Sequence, residues 1–155
     1  MFEVLIYLFE NYLQDNVEDV RDHETIADEL HAAGFPPAEV SKAFDWLKAL
    51  GDRHERGGAP VTASVRSLRH YTPNELRRLH VGARGFLLFL EQIGVLDSHL
   101  RELVIDRVLA LDDDEIDLDD LKWVILIVLF SQPGREQAYA FVEDLVYEGA
   151  RENLH

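Results

Sequence analysis

Tyr71-Thr72-Pro73-Asn74-Glu75 is the stretch at which the chain changes character. The Thr72 hydroxyl can cap a helix. Pro73 suits the first helical position, where its missing amide would have no partner anyway, and Glu75 completes a capping box. From there to the end every segment carries the helical period, over about 73–80, 82–94, 99–111, 118–131 and 135–149. Breaks fall at Gly94, Asp97-Ser98, residues 112–117 and Pro133-Gly134. Phe86–Leu90 and Trp123–Phe130 are apolar on all sides, which predicts a central place in the core for both. The last helix is one-sided, with Ala138, Phe141, Val142 and Leu145 on its stripe.

Working back from Thr72, the period is lost. Val61, Ala63 and Val65 alternate, and Leu68 and Tyr71 fit a strand, so Val61–Tyr71 reads as a short strand or hairpin. Residues 52–60 read as loop. Three helices precede them, over about 2–14, 23–33 and 37–50. Asp22 is a candidate N-cap and Gly34 a candidate left-handed cap. Pro37 suits the first position of the third helix, Glu39 lies in its first turn, and Gly51 is expected to close it. Helix, helix-turn-helix pair and β-wing is the order of a winged helix. The expected fold is therefore mainly α. It has a winged-helix-like region over 1–71 and a multi-helix region over 72–155, with one shared core as the alternative to two.

The 155 residues include 30 acids, 15 bases and no cysteine, for a formal charge of −15. Without cysteine there is no disulfide framework and no thiolate metal site. The N-terminal stretch lacks the basic start of a secretory signal, and the longest apolar run is eight residues, far below the ~20 that span a bilayer. A cytoplasmic protein is expected. The charge opposes wholesale nucleic-acid binding. Yet residues 52–84 carry +4 between segments of −8 and −11, and every cation there is Arg.

Two surfaces follow. If 37–50 is a recognition helix, its outer face is Ala38, Ser41, Lys42, Asp45 and Ala49. Asp45 at its centre repels phosphate, so Ser41, Lys42, Asp45 and Ala49 suit a protein partner better than a DNA groove. The alternative is a nucleic-acid edge at the wing through Arg53, Arg56, Arg66 and Arg69, whose forks match phosphate. The plain reading of the Arg band is neutralisation of the acidic segments beside it. Trp46 lies at the margin of its helix's apolar stripe and is expected in the core, with an interface role as the other option.

No catalytic set is legible. There is no His-Glu-x-x-His, Gly-x-Ser-x-Gly, P-loop or dinucleotide fingerprint, and the seven histidines are scattered. No catalytic residue, metal ligand or cofactor is assigned. Residues 112–120 hold six Asp in nine positions, but an EF-hand register started at Asp112 puts Asp117 where glycine is needed and Trp123 where glutamate is needed. Helix-start chemistry explains the run: Asp117 as N-cap, Asp119 and Asp120 in the first turn. A weak divalent site over 112–120 is the other option.

Met1–Glu10, Tyr71-Thr72-Pro73, Arg84–Glu91, Glu102–Leu111 and Asp120–Val124 together resemble the bacterial Smg family, and the resemblance covers the whole chain. The Leu154-His155 ending is similar too. The resemblance brings no activity, cofactor or site residues. It implies only a partner class, since genes of this family often lie beside one for a DNA-processing protein. The expected function is a non-enzymatic adaptor or regulator that binds another protein, with nucleic-acid binding as the alternative.

Overall fold

The computed structural model describes residues 1–13, 23–56 and 70–152, which are mainly helical. The helices are α1 (Phe2–Leu8), continued by a π-helical turn (Phe9–Leu13), α2 (His23–Ala32), α3 (Pro37–Arg56), α4 (Pro73–Arg78), α5 (Val81–Gln92), α6 (Ser98–Leu109), α7 (Leu118–Phe130) and α8 (Glu136–Glu152). The chain divides into two compact units, Met1–Leu50 and Gly51–His155.

In the first unit, apolar side chains at helical spacing go inside. Val4, Leu5, Leu8 and Phe9 are buried from α1 and the turn after it, Ile26 and Leu30 from α2, and Val40, Ala43, Trp46 and Leu50 from α3. Each large side chain removed from water contributes about 1.5–3 kcal/mol. Polar ties fix the arrangement. The Met1 amino group pairs with Glu39. The Tyr12 hydroxyl donates to Glu29, and that bond pushes the phenol up to about 12, since ionising it would place a second anion beside the carboxylate. The Tyr7 ring meets Phe35 edge-on at 5.2 Å.

The turn between α2 and α3 is built as its sequence indicates. Gly34 takes φ +100°, its amide donates to the His31 carbonyl, and the Phe35 amide donates to that of Leu30. Pro37 opens α3, and the Pro36 carbonyl accepts from the Glu39 and Val40 amides. Gly51 does not close α3, which keeps helical geometry through it to Arg56. Trp46 is buried at 3% exposure and belongs to the core.

The winged-helix expectation is not supported. Of the segment read as a wing, 61–69 lies outside the described residues, and Tyr71 is not in a strand. No strand occurs among the described residues. Their β pairing is one isolated bridge, Leu79 to Ile116. Alternation over three small or branched residues is too short a pattern to specify a wing.

The second unit is built around α7. Six consecutive residues, Val124 to Leu129, are buried, so this helix has no polar side over almost two turns. α5, α6 and α8 pack on it. Trp123 meets Tyr147 of α8 at 6.0 Å, and Phe130 meets Tyr139 at 5.7 Å. The Thr72–Glu75 capping box is formed in both directions, at 3.2 and 2.9 Å. Asp97 caps α6 through the Leu100 amide, and Asp117 caps α7 through the Asp120 amide, both at 2.8 Å.

Arg78 ties these parts together. Its guanidinium donates to the Leu109 carbonyl at 2.7 Å, Leu111 at 2.9 Å and Asp113 at 2.8 Å. The Ile116 amide donates back to the Arg78 carbonyl at 2.8 Å. Carbonyls at a helix C-terminus lack intrahelical donors, and a cation there also opposes the negative end of the helix dipole. Arg78→Met is expected to destabilise the protein by about 2–3 kcal/mol, because three carbonyls lose a charged donor together. Arg78→Lys should recover only part, since one ammonium cannot reproduce the fork. Urea unfolding followed by circular dichroism checks this; a loss below about 0.5 kcal/mol in Arg78→Met would show that water replaces the guanidinium freely.

Candidate protein-binding surface

The residues singled out on α3 lie largely outside. Ser41, Lys42 and Asp45 are exposed and Ala49 is half-buried. Lys42 reaches Glu39 at 3.8 Å along its own helix. The alternative set is not brought into view: Arg53 and Arg56 lie on α3 but their side chains are outside the described residues, as are Arg66 and Arg69 altogether. Of the remaining Arg band, Arg78 is engaged with main-chain carbonyls and Arg77 donates to Asn74 at 2.9 Å.

A surface that the sequence did not single out lies on α5. The expectation for Phe86–Leu90 was burial all round. Only Leu87 and Leu90 of that run are buried, joined on the inner face by Ala83. Leu88 is 40% and Phe89 44% exposed, and at the two ends of the helix Val81 is 76% and Ile93 47% exposed. Gly82, Gly85 and Gln92 are exposed as well. Val81, Gly85, Leu88, Phe89 and Gln92 recur at the three-to-four spacing that puts them on one side of a helix. No charged residue interrupts that side.

Gly85 is the unusual member. It sits inside the helix with no atom within 4 Å of where a Cβ would stand. Glycine in a helix interior costs about 1 kcal/mol against alanine. Nothing in the chain's own packing requires the missing side chain there.

Two cations border this side. On one edge, Arg84 donates from Nε to the Leu79 carbonyl at 3.2 Å and lies 6.0 Å from the Tyr71 ring centre. On the other, Phe86 stacks toward Phe89 with ring centres 6.3 Å apart, and the Lys122 ammonium of α7 stands 5.8 Å from the Phe86 ring centre. Among the described residues neither cation pairs with a carboxylate. Some cations of this unit do, though Arg77 and Arg78 do not: Arg101, nine-tenths buried, holds both oxygens of Glu91 at 3.2 and 3.0 Å, and Arg107 holds Asp106 at 2.9 Å. Arg135 holds Asp97. Burial pushes the Asp97 carboxyl up, but the Leu100 amide and Arg135 outweigh it and hold the group below its ordinary range.

The acidic loop before α7 follows helix-start chemistry. Asp112, Asp113, Asp114, Glu115, Asp117 and Asp119 are exposed. Among the described residues no three His, Asp or Glu side chains gather as a metal-binding group. Asp120 is half-buried, and burial together with the charges of Asp117 and Asp113 pushes its carboxyl up to about 6. Nor, among the described residues, is any helix long and apolar enough to cross a membrane.

The family described as protein of unknown function (DUF494) matches residues 1–155. The chain is 52% identical to the protein Smg homolog of Alkalilimnicola ehrlichii over 155 residues, which covers all of this chain and 98% of that one. It is 50% identical to the Smg homolog of Halorhodospira halophila, with 97% of that chain covered, and 50% identical to that of Shewanella piezotolerans, with 99% covered. No solved structure matches.

Two outcomes follow from this geometry. Gly85→Ala should stabilise the protein by about 0.5–1 kcal/mol, because alanine is the better helix former and meets open space. A lower midpoint in thermal or urea unfolding would instead reveal a contact at that spot. Asp120 should titrate with a midpoint near 6 in carboxyl-carbon NMR. Its folded pKa lies above the unfolded one, so the folded state holds the proton more tightly. The resulting cost is fully present above about 6 and vanishes below the ordinary carboxylate range near 4. Asp120→Asn should therefore gain stability at pH 7.5 and lose that gain on acidification; a pH-independent difference would contradict the assignment.

Proposed function

The chain belongs to the Smg family of bacterial proteins, and on that premise we propose that it is a non-enzymatic adaptor or regulator that acts by binding another protein. The observation that carries this reading is the outer side of α5. A chain with a formal charge of −15 leaves Val81, Leu88 and Phe89 in water on one side of α5, with exposed Ile93 just past its end. Scattered apolar residues on a surface need no explanation, but a contiguous uncharged run of them marks a place where another surface is meant to lie. Removing that run from water supplies the driving force for association. The small polar face of α3, with Ser41, Lys42, Asp45 and Ala49, offers a second surface for the same role. The family resemblance makes a DNA-processing protein the first partner to test.

The test compares the full-length chain with two variants as bait in a bacterial lysate. One carries Leu88→Glu with Phe89→Glu, the other Ser41→Arg with Asp45→Arg and Ala49→Arg. A partner retained saturably by the unaltered chain should bind the α5 variant at least about tenfold more weakly, as expected when central apolar anchors are lost. Loss confined to the α3 variant would place the interface on α3. Absence of any saturable protein partner would overturn the reading. Retention of nucleic acid instead, with a log–log salt slope of about −0.9 per neutralised phosphate, would put Arg53, Arg56, Arg66 and Arg69 in its place.

A further inference from the structure

We propose that the outer face of α5 seats an amphipathic helix of another protein whose apolar stripe is bordered by carboxylates. This rests on the protein-binding reading above and names the chemistry of the partner. Three features of the face define it. The first is its shape. It is one side of a twelve-residue helix, about 18 Å long. A second helix laid along such a ridge is the arrangement that buries it, with anchors three and four residues apart on the incoming helix.

The second feature is Gly85. It lies at the middle of the face, between Val81 and Leu88, with open space above it. Helix axes pack 8–10 Å apart depending on the side chains at the contact, and a position without Cβ allows the near end of that range. In the free protein the glycine only weakens α5. Against an incoming backbone it becomes the point of closest approach.

The third feature decides the occupant. Arg84 flanks the face on one side and Lys122, against the Phe86 ring, on the other, and neither pairs with a carboxylate among the described residues. Acids outnumber bases two to one in the sequence, so carboxylate partners are not scarce. Each of the two cations is held against an aromatic ring instead, which keeps its charge available at the rim. Acidic residues flanking the apolar stripe of the incoming helix would meet them. A second copy of this chain would not, because it presents the same two cations on its own edges. Its formal charge of −15 would add repulsion at longer range.

The test pans a displayed library of helical peptides against the full-length chain. The library keeps a Leu and Ala stripe and randomises the two flanking columns among Glu, Gln and Lys. Glu should be enriched in both columns. The selected peptide, measured by fluorescence anisotropy, should bind about fivefold or more tightly than its Lys-flanked version, the scale of two rim charge pairs. That preference should fall to near unity on a chain carrying Arg84→Gln and Lys122→Gln. Gly85→Leu should weaken the peptide about tenfold while circular dichroism shows the fold intact, since Gly85 is exposed.

Flanking columns without a charge bias, a preference for Lys, or binding that ignores Gly85→Leu and Leu88→Glu would overturn the proposal. So would a dimer in sedimentation equilibrium that Leu88→Glu abolishes, which would make a second copy the occupant. A lysate partner lost with the α5 variant while the peptides show no Glu preference overturns this inference alone. No partner and no peptide overturns both it and the protein-binding reading.

Discussion

The second unit depends on α7 having no polar side. From Val124 to Leu129 every side chain is apolar and buried, so whatever surrounds the helix must cover it over its full circumference. α6 gives its Leu100, Leu103, Val104, Ile105 and Val108 face, α8 gives Val142 and Val146, and α5 gives Ala83, Leu87 and Leu90. The entry to α7 is fixed just as firmly. Asp117 caps it, Ile116 pairs with the main chain at Arg78, and the Arg78 fork gathers the carbonyls of the loop that leads in. A helix that must be covered all round needs its neighbours in register, and this clamp supplies the register at one end. Once α5 has turned its inner face to α7, Leu88 and Phe89 on its outer face stay exposed.

The use of cations follows from the excess of acids. Arg101 is taken inside with Glu91, a pairing whose gain is offset by the cost of removing both charges from water, so it fixes how α5 meets α6 more than it stabilises either. Arg135 joins the cap of α6 to the start of α8. Where acids crowd together before α7, the conflict surfaces in Asp120, whose carboxyl is pushed up by burial and by Asp117 and Asp113. Arg84 and Lys122, like Arg78, take partners other than carboxylates. Their partners are a carbonyl and aromatic rings, which fix a cation in place without cancelling its charge.

What was legible in the sequence was local. The Thr72–Glu75 box, the Asp117 cap, the Gly34 turn and the Pro37 start each need only four or five neighbouring residues, and each is present. The helical character of the C-terminal region and the burial of Val124–Leu129 were also legible, because an apolar run longer than a turn and opened by a cap suits an inner helix. The wing rested on a brief alternation and found no strand among the described residues. Gly51 was read as a stop, yet a glycine ends a helix only when it turns left-handed, and here α3 continues. The partners of Arg78 lie 31 to 35 residues away, beyond the reach of any spacing argument. Most of all, Phe86–Leu90 was read as central because it is apolar all round. Such a run specifies that the helix can be buried on every side, not that the fold contains enough neighbours to bury it.

That gap between what the α5 sequence permits and what the fold covers makes the helix informative. If Leu88 and Phe89 merely filled a surface position, a charged side chain there would be better hydrated, and alanine at Gly85 would strengthen the helix at no steric cost. The three choices lean the same way, toward an uncharged surface and a closer approach, and against the stability of the free protein. Independent surface positions under no demand would not be expected to share a direction. Shared cost on one face of one helix is the pattern from which the protein-binding proposal starts, and it does not depend on any single residue of α5.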